Sequence, residues 1–237
     1  MLKKMRKKAG ALLVMICLGV IILLCWEAGE HLKDKILRSL ETAAEARTGK
    51  QTVVLDSGHG GSDSGKVGIN GAKEKEINLL IAKEIRRLLE KEKIEVIMVR
   101  EKDEELGKSK VEDLKYRVSL MNEKKPSLAV SIHQNSYHEE SVSGGQVFYY
   151  RDSAKGKALA EILQKRFSYV LGEQNRRLPK ANGNYYLLLH VKCPIVIVEC
   201  GFLSNRKEAG LLNSGEYQDK LAYTIHMGVA EYLNGRK

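Results

Sequence analysis

The chain lacks the marks of several large protein classes. Neither G-x-x-x-x-G-K-[ST] nor G-x-G-x-x-G occurs, so its glycine-rich stretch is not a phosphate-binding loop of either common kind. No basic helix interleaved with aromatic residues is present, and no nucleic-acid partner is expected. Internal repeats and low-complexity segments are also missing, which excludes solenoids and disordered arrays. Cysteine is scarce and badly placed for bridging. Of four cysteines, Cys17 and Cys25 lie in an apolar N-terminal run, while Cys193 and Cys200 flank the apolar stretch Pro194–Glu199. If that stretch is a strand, their Cα atoms stand ~20 Å apart, far beyond disulfide reach, and two buried thiols are expected.

The N-terminus has an export pattern. Lys3, Lys4, Arg6, Lys7 and Lys8 precede an uncharged run from Ala9 to Trp26. No A-x-A site follows, and neither Cys17 after Ile16 nor Cys25 after Leu24 has the small preceding residue a lipoprotein signal needs. An uncleaved anchor over residues 1–26 is therefore expected, with secretion after cleavage as the alternative. The cations in front of the run leave the tail in the cytoplasm and the rest of the chain outside it. Residues 27–50 are polar and charged and read as a juxtamembrane linker. Half of the formal net charge of +10 lies within the first 50 residues, which leaves residues 51–237 a modest positive balance suited to an anionic polymer such as cell wall.

From residue 51 onward, short apolar runs alternate with helical patterns. Residues 52–56, 95–100, 127–133, 146–150 and 194–199 read as strands, several too continuously apolar to be half exposed. Ile77, Leu80, Ile81, Ile85 and Leu88 keep helical spacing. So do Leu114, Val118 and Met121, then Ala158, Leu159, Ile162, Leu163 and Phe167, and a last helix runs near 217–233. The alternation indicates an α/β domain over residues 51–237 with a mainly parallel, buried sheet.

Chemistry in such sheets collects at the carboxyl ends of strands. "LDSGHGGSDSG" ends the first strand with His59 among glycines, and "SIHQN" ends another with His133. Neutral imidazoles at two strand ends are ordinary zinc donors, and a catalytic zinc site commonly adds one carboxylate. Glu74 and Glu76 in "GAKEKEINLL" both qualify, and both would also favour a helix N-terminus, so spacing does not choose between them. Glu199 in "PIVIVECGFLSN" ends the most apolar strand. It reads either as a cap for the Gly201 turn or as a general base for water acidified by a metal.

These motifs together resemble a known family. "LDSGHGGSDSG", "GxxEK" at Gly71 to Lys75, "RxxD" at Arg100 to Asp103, "LxxR" at Leu114 to Arg117, "SIHxN" and "VExGFxSN" stand in the order of the zinc-dependent N-acetylmuramoyl-L-alanine amidases of bacterial cell walls. The resemblance spans about residues 52 to 234. It implies an open twisted sheet flanked by helices, one zinc per chain held by His59, Glu74 and His133, and Glu199 as the catalytic carboxylate. It also prefers Glu74 to Glu76. The reaction implied is hydrolysis of the amide between N-acetylmuramic acid and L-alanine on peptidoglycan glycan strands carrying stem peptides.

The short cationic tail, the single anchor, the lack of wall-binding repeats and the segment "ELGKSKVEDLKYRV" resemble the spore-cortex members of that family. There, stem-peptide removal precedes muramic-δ-lactam formation, which implies an activating lipoprotein and a downstream deacetylase as partners. Two positions depart from the pattern: Ser57 stands where proline is common, and Cys200 where threonine or another small residue is usual. Because adjacent strand residues face opposite ways, Cys200 is expected to be buried rather than a ligand. Arg177, Lys180 and Tyr186 in "RRLPKANGNYY" are candidates for holding glycan or peptide carboxylates in an open groove. Two other readings share these residues, a zinc exopeptidase of related fold and a catalytically silent wall-binding module; Glu199 beside a full ligand set argues against the second.

Overall fold

The computed structural model describes residues 26–27, 29–30, 32–33, 35, 51–172 and 175–235. Most of the expected anchor, including Cys17 and Cys25, lies outside them, as does most of the 27–50 linker. Among the described residues no helix is long and apolar enough to cross a membrane. The chain divides after Gly49, and the second unit carries all the strands described below.

Six strands form one sheet: β1 (Thr52–Ser57), β2 (Glu95–Met98), β3 (Leu128–Asn135), β4 (Gln146–Tyr150), β5 (Lys180–Asn182) and β6 (Ile195–Phe202). Their order is β2-β1-β3-β6-β4-β5. Four of the five pairings are parallel, and β4 runs antiparallel to β6, so the sheet is mixed. The reason is the connection. Residues 136–145 join β3 to β4 without a crossover helix, and a parallel return needs a dozen or more residues, so β4 starts at the edge where β3 ends.

The helices are α1 (Glu74–Lys91), α2 (Lys110–Lys124), α3 (Ala154–Leu171), α4 (Tyr186–His190), α5 (Arg206–Leu212) and α6 (Gly215–Gly235). Local chemistry sets several of their ends. Ser109 accepts from the Glu112 amide, Ser153 from Gly156 and Asn205 from Glu208, each occupying an otherwise orphaned N-terminal donor. The four helices expected from periodicity are all present. Periodicity missed α4, α5 and β5, which are only 5, 7 and 3 residues long and give a pattern too little length to register.

Strand alternation divides the core in two. Val53, Leu55, Val130, Ile132, Val196, Val198 and Cys200 pack under α1, α3, α5 and α6. Val54, Ala129, Ile195 and Ile197 pack under α2 and α4. Continuing this parity, Asp56, Ser131, His133 and Glu199 fall on the α2–α4 face, and Cys200 on the other. Cys193 and Cys200 are both free thiols, as their separation requires.

Asp56, fully buried, pairs with Arg117 of α2, which is only 2% exposed, and accepts from the Ser131 hydroxyl at 2.6 Å. Burial alone would raise the Asp56 carboxyl; the Arg117 charge and the Ser131 bond outweigh it and hold the group below its ordinary range. Replacing one member leaves the other buried and unpaired, so Arg117→Met should cost about 3–5 kcal/mol in urea unfolding. Because the Asp56 value is depressed, this stabilisation exists above the unfolded-state value of ~3.9 and is lost as pH falls through the folded one. Wild type should therefore lose more stability than Arg117→Met on acidification below about pH 4. Equal acid sensitivity in the two proteins would contradict this.

Candidate metal centre and catalytic cleft

The loop after β1 carries His59 in a left-handed conformation, φ +64°, which is uncommon for a residue with a side chain. Three bonds hold it there. Arg117 donates to the His59 carbonyl at 2.9 Å, His59 Nδ1 bonds Asp63 Oδ2 at 2.8 Å, and Lys110 pairs with the same Asp63 at 3.2 Å. With Nδ1 so engaged, His59 Nε2 points inward, 3.2 Å from Glu74 Oε2.

Glu74, 2% exposed, is the first residue of α1. One carboxylate oxygen accepts from the Lys66 amide at 2.7 Å, and the other from the Gln134 amide at 3.1 Å and Asn78 Nδ2 at 3.4 Å. Gln134 can donate there because the β3–β6 register shifts between His133 and Asn135 and frees its amide from the ladder. The Gln134 side chain then donates to Asn78 Oδ1 at 3.1 Å, and Asn78 also donates to the Gly58 carbonyl.

His133 completes the group, with Nδ1 2.9 Å from Glu74 Oε1. His59, Glu74 and His133 each offer a ligand atom, and these atoms all lie within 4.8 Å of one another. Two glycines make the convergence sterically possible. A Cβ on Gly58 would lie 2.1 Å from the His133 ring, and one on Gly65, φ +64°, 2.5 Å from Glu74 Oε2. Two imidazole nitrogens and one carboxylate, buttressed by Asp63, Asn78 and Gln134, fit a zinc ion. Glu76 is not in the group; it lies near Lys73 at the surface.

Glu74 and the two histidines are electrostatically coupled. Burial would raise Glu74, but hydrogen bonds from His133 and His59 outweigh it and hold the carboxyl far below its usual range. Burial would lower His133, but Glu74 pushes it up to about 9, helped by the more distant Glu199 and Asp56.

Glu199 lies directly across from His133 in the β3–β6 pairing and across from Gln146 in β4–β6. Burial, reinforced by Glu74 and opposed by the two histidines, pushes it up to about 7. Among the described residues its Oε2 has no hydrogen-bond partner. It does not cap the Gly201 turn. Glu208 does, accepting from the Phe202 amide at 2.7 Å and the Gly144 amide at 2.8 Å.

Of the other predicted site residues, Arg177 donates to the Ser143 carbonyl at 2.7 Å and to Gln146 Oε1 at 3.1 Å, and covers the Phe202 ring. Lys180 stands over the Phe148 ring on β4, and Tyr186 stacks on His190. The neighbouring Tyr185 packs on Phe148, and burial, reinforced by the nearby Glu199 charge, raises its hydroxyl. Asp63, Asn78, Gln134 and Tyr185 were not picked out from sequence. Asn78, one helical turn after Glu74, carried the most readable signal.

Comparison with known proteins agrees with this architecture. The family described as N-acetylmuramoyl-L-alanine amidase matches residues 53–231. The germination-specific N-acetylmuramoyl-L-alanine amidase of Bacillus subtilis (strain 168) is 37% identical over 189 residues, covering 76% of this chain and 79% of that protein. The CwlD amidase of Clostridioides difficile, solved in complex with the GerS lipoprotein, superposes with a TM-score of 0.75 at 36% identity, over 78% of this chain and 99% of that one. The catalytic domain of the amidase CwlV from Bacillus (Paenibacillus) polymyxa var. colistinus gives 0.70 at 34% identity, over 78% and 98%.

The hydrogen bonds behind Glu74 and the proton on His133 make one joint prediction. Asn78→Ala should weaken zinc affinity about 10- to 100-fold while the protein stays folded. In wild type, zinc must displace the His133 proton, so affinity should rise with pH, by about tenfold per unit between pH 6 and 8. Chelator competition across that range reads both effects, and a flat profile would rule out a proton displaced from the site.

Proposed function

Because the chain belongs to the N-acetylmuramoyl-L-alanine amidase family, it hydrolyses the amide between N-acetylmuramic acid and L-alanine in peptidoglycan, and we propose that it does so with one zinc held by His59, Glu74 and His133. The observation that carries the mechanism is Glu199, paired across the sheet with His133 and keeping one buried oxygen without a partner. When bound, zinc supplies a Lewis acid that polarises the amide carbonyl and acidifies water.

The chain's own groups do the rest. Asp63 fixes the tautomer of His59, and Asn78 and the Gln134 amide fix the carboxylate of Glu74. Glu199 accepts the proton of the attacking water and delivers it to the departing alanine nitrogen. Amide cleavage needs both halves of that transfer, since an unprotonated amine is a poor leaving group.

In this reading the enzyme serves spore-cortex formation, removing stem peptides ahead of a deacetylase that closes the muramic-δ-lactam. The name of the Bacillus relative and the GerS lipoprotein bound to the Clostridioides one support a germination-linked role and an activating lipoprotein partner. Residues 1–26 anchor the protein, residues 27–50 link the anchor to the catalytic domain over 51–237, and that domain works outside the cytoplasm. Mass spectrometry of the membrane-associated protein should find an N-terminus before residue 27; one mapped between 27 and 50 would mean cleavage and release.

Glu199→Gln keeps nearly the same volume and removes the proton acceptor. Zinc content and melting temperature should stay near wild type while peptide release falls at least ~100-fold. A folded, zinc-loaded Glu199→Gln protein with near-normal turnover would remove Glu199 from the mechanism.

A further inference from the structure

We propose that a polar cavity beside the His59 loop is the subsite for the glycan strand and that the stem peptide departs along the opposite, Glu199 side; this rests on the amidase reading above. The cavity measures about 340 Å³ and is bounded by Ser62, Ser64, Glu105, Lys108 and Ser109. A smaller cavity of about 190 Å³ reaches His59 and His133, and Asp63, Lys110 and Asp113 line both. The two cavities therefore adjoin, with the Lys110–Asp63 pair at 3.2 Å on their common border.

Lining chemistry identifies the occupant. Every side chain bounding the larger cavity is polar or charged, and the remaining positions are glycine. Hydroxyls, carboxylates and ammonium groups together suit a polyol, whose hydroxyls donate and accept. They do not suit apolar peptide side chains, and the mixed charge does not suit a bare anion. Beyond Glu199 an aromatic pair takes over, with exposed Tyr185 packed on buried Phe148 at 5.4 Å and Lys180 over the same ring.

Proton delivery fixes the direction. The bond that breaks joins the lactyl carbonyl, which stays with the glycan, to the alanine nitrogen, which leaves with the peptide. Glu199 must reach that nitrogen. In the order β1-β3-β6-β4-β5, the metal-binding histidines follow β1 and lie on β3, while Glu199 is on β6, towards β4 and β5. The nitrogen-bearing fragment therefore lies towards β4 and β5, and the acyl fragment with its sugar towards β1 and the cavity. Leu114 and Leu187 line the smaller cavity and offer a surface for the lactyl methyl group.

The test uses the full-length protein and two substrates carrying the same stem peptide, one on long glycan strands and one on a single N-acetylmuramic acid. Ser62→Trp fills the cavity, and Lys108→Glu reverses one of its charges at an exposed position. In both variants the ratio of kcat/KM for the long substrate to that for the short one should fall about tenfold or more. Calorimetry with a peptide-free glycan oligomer should show binding to wild type and at least about tenfold weaker binding to Ser62→Trp. An unchanged ratio in variants that melt like wild type would overturn the subsite. Wild type that cleaves both substrates but binds no peptide-free glycan sinks the subsite alone; wild type that releases peptide from neither sinks the amidase reading and the subsite with it.

Discussion

Two buried guanidiniums hold up the His59 loop, and most of the site follows from them. A loop of glycines after β1 cannot satisfy its own carbonyls in a ladder, and buried backbone acceptors must find donors. Arg100 donates to the Ser57, Gly58, Lys75 and Lys102 carbonyls. Arg117 donates to those of Ser57 and His59 and pairs with Asp56 and Asp113. One residue thus ties the loop to the start of α1, where Glu74 sits, and the other ties it to α2. Lys75 extends the brace by pairing with Asp103, which accepts from the Gly61 amide at 2.7 Å. The glycines permit the loop's shape and the arginines select it.

The chemistry of this site was more legible in sequence than its scaffolding. His59, His133 and Glu199 announce themselves because each ends an apolar run, and polar groups there need a reason. Arg100 and Arg117 entered only as letters in motifs, since nothing in a linear string says that a guanidinium will be buried under a loop 43 or 60 residues away. Glu74 and Glu76 were inseparable by spacing. What separates them is direction: the first turn of α1 aims Glu74 over the sheet edge and leaves Glu76 in solvent. Tyr185 and Tyr186 illustrate the same limit. Where a five-residue helix begins decides which ring faces Glu199, and no periodicity exists over so short a span.

Electrostatics make the site a place that wants a cation. Glu74, Asp56 and Glu199 lie around two imidazoles in a largely buried setting, and the hydrogen bonds between Glu74 and the histidines offset part of that negative charge. A divalent ion held by His59, Glu74 and His133 would offset more of it, replacing a proton with a larger charge that those three ligands share. Among the described residues no backbone amide holds Glu199, and in the proposed mechanism that leaves its carboxyl able to trade protons.

The antiparallel β4 gives that freedom its direction. Because residues 136–145 return at the same edge, β4 begins with Gln146 beside Glu199 instead of ending there. The Gln146 amide is fixed by Arg177 on one side and by the Leu178 carbonyl at 3.1 Å on the other. The 136–145 connection therefore runs along the same sheet edge as Glu199, past the end of β6, and the turn before α4 sets Tyr185 against Phe148 of β4, so connecting loops instead of a helix border that carboxylate.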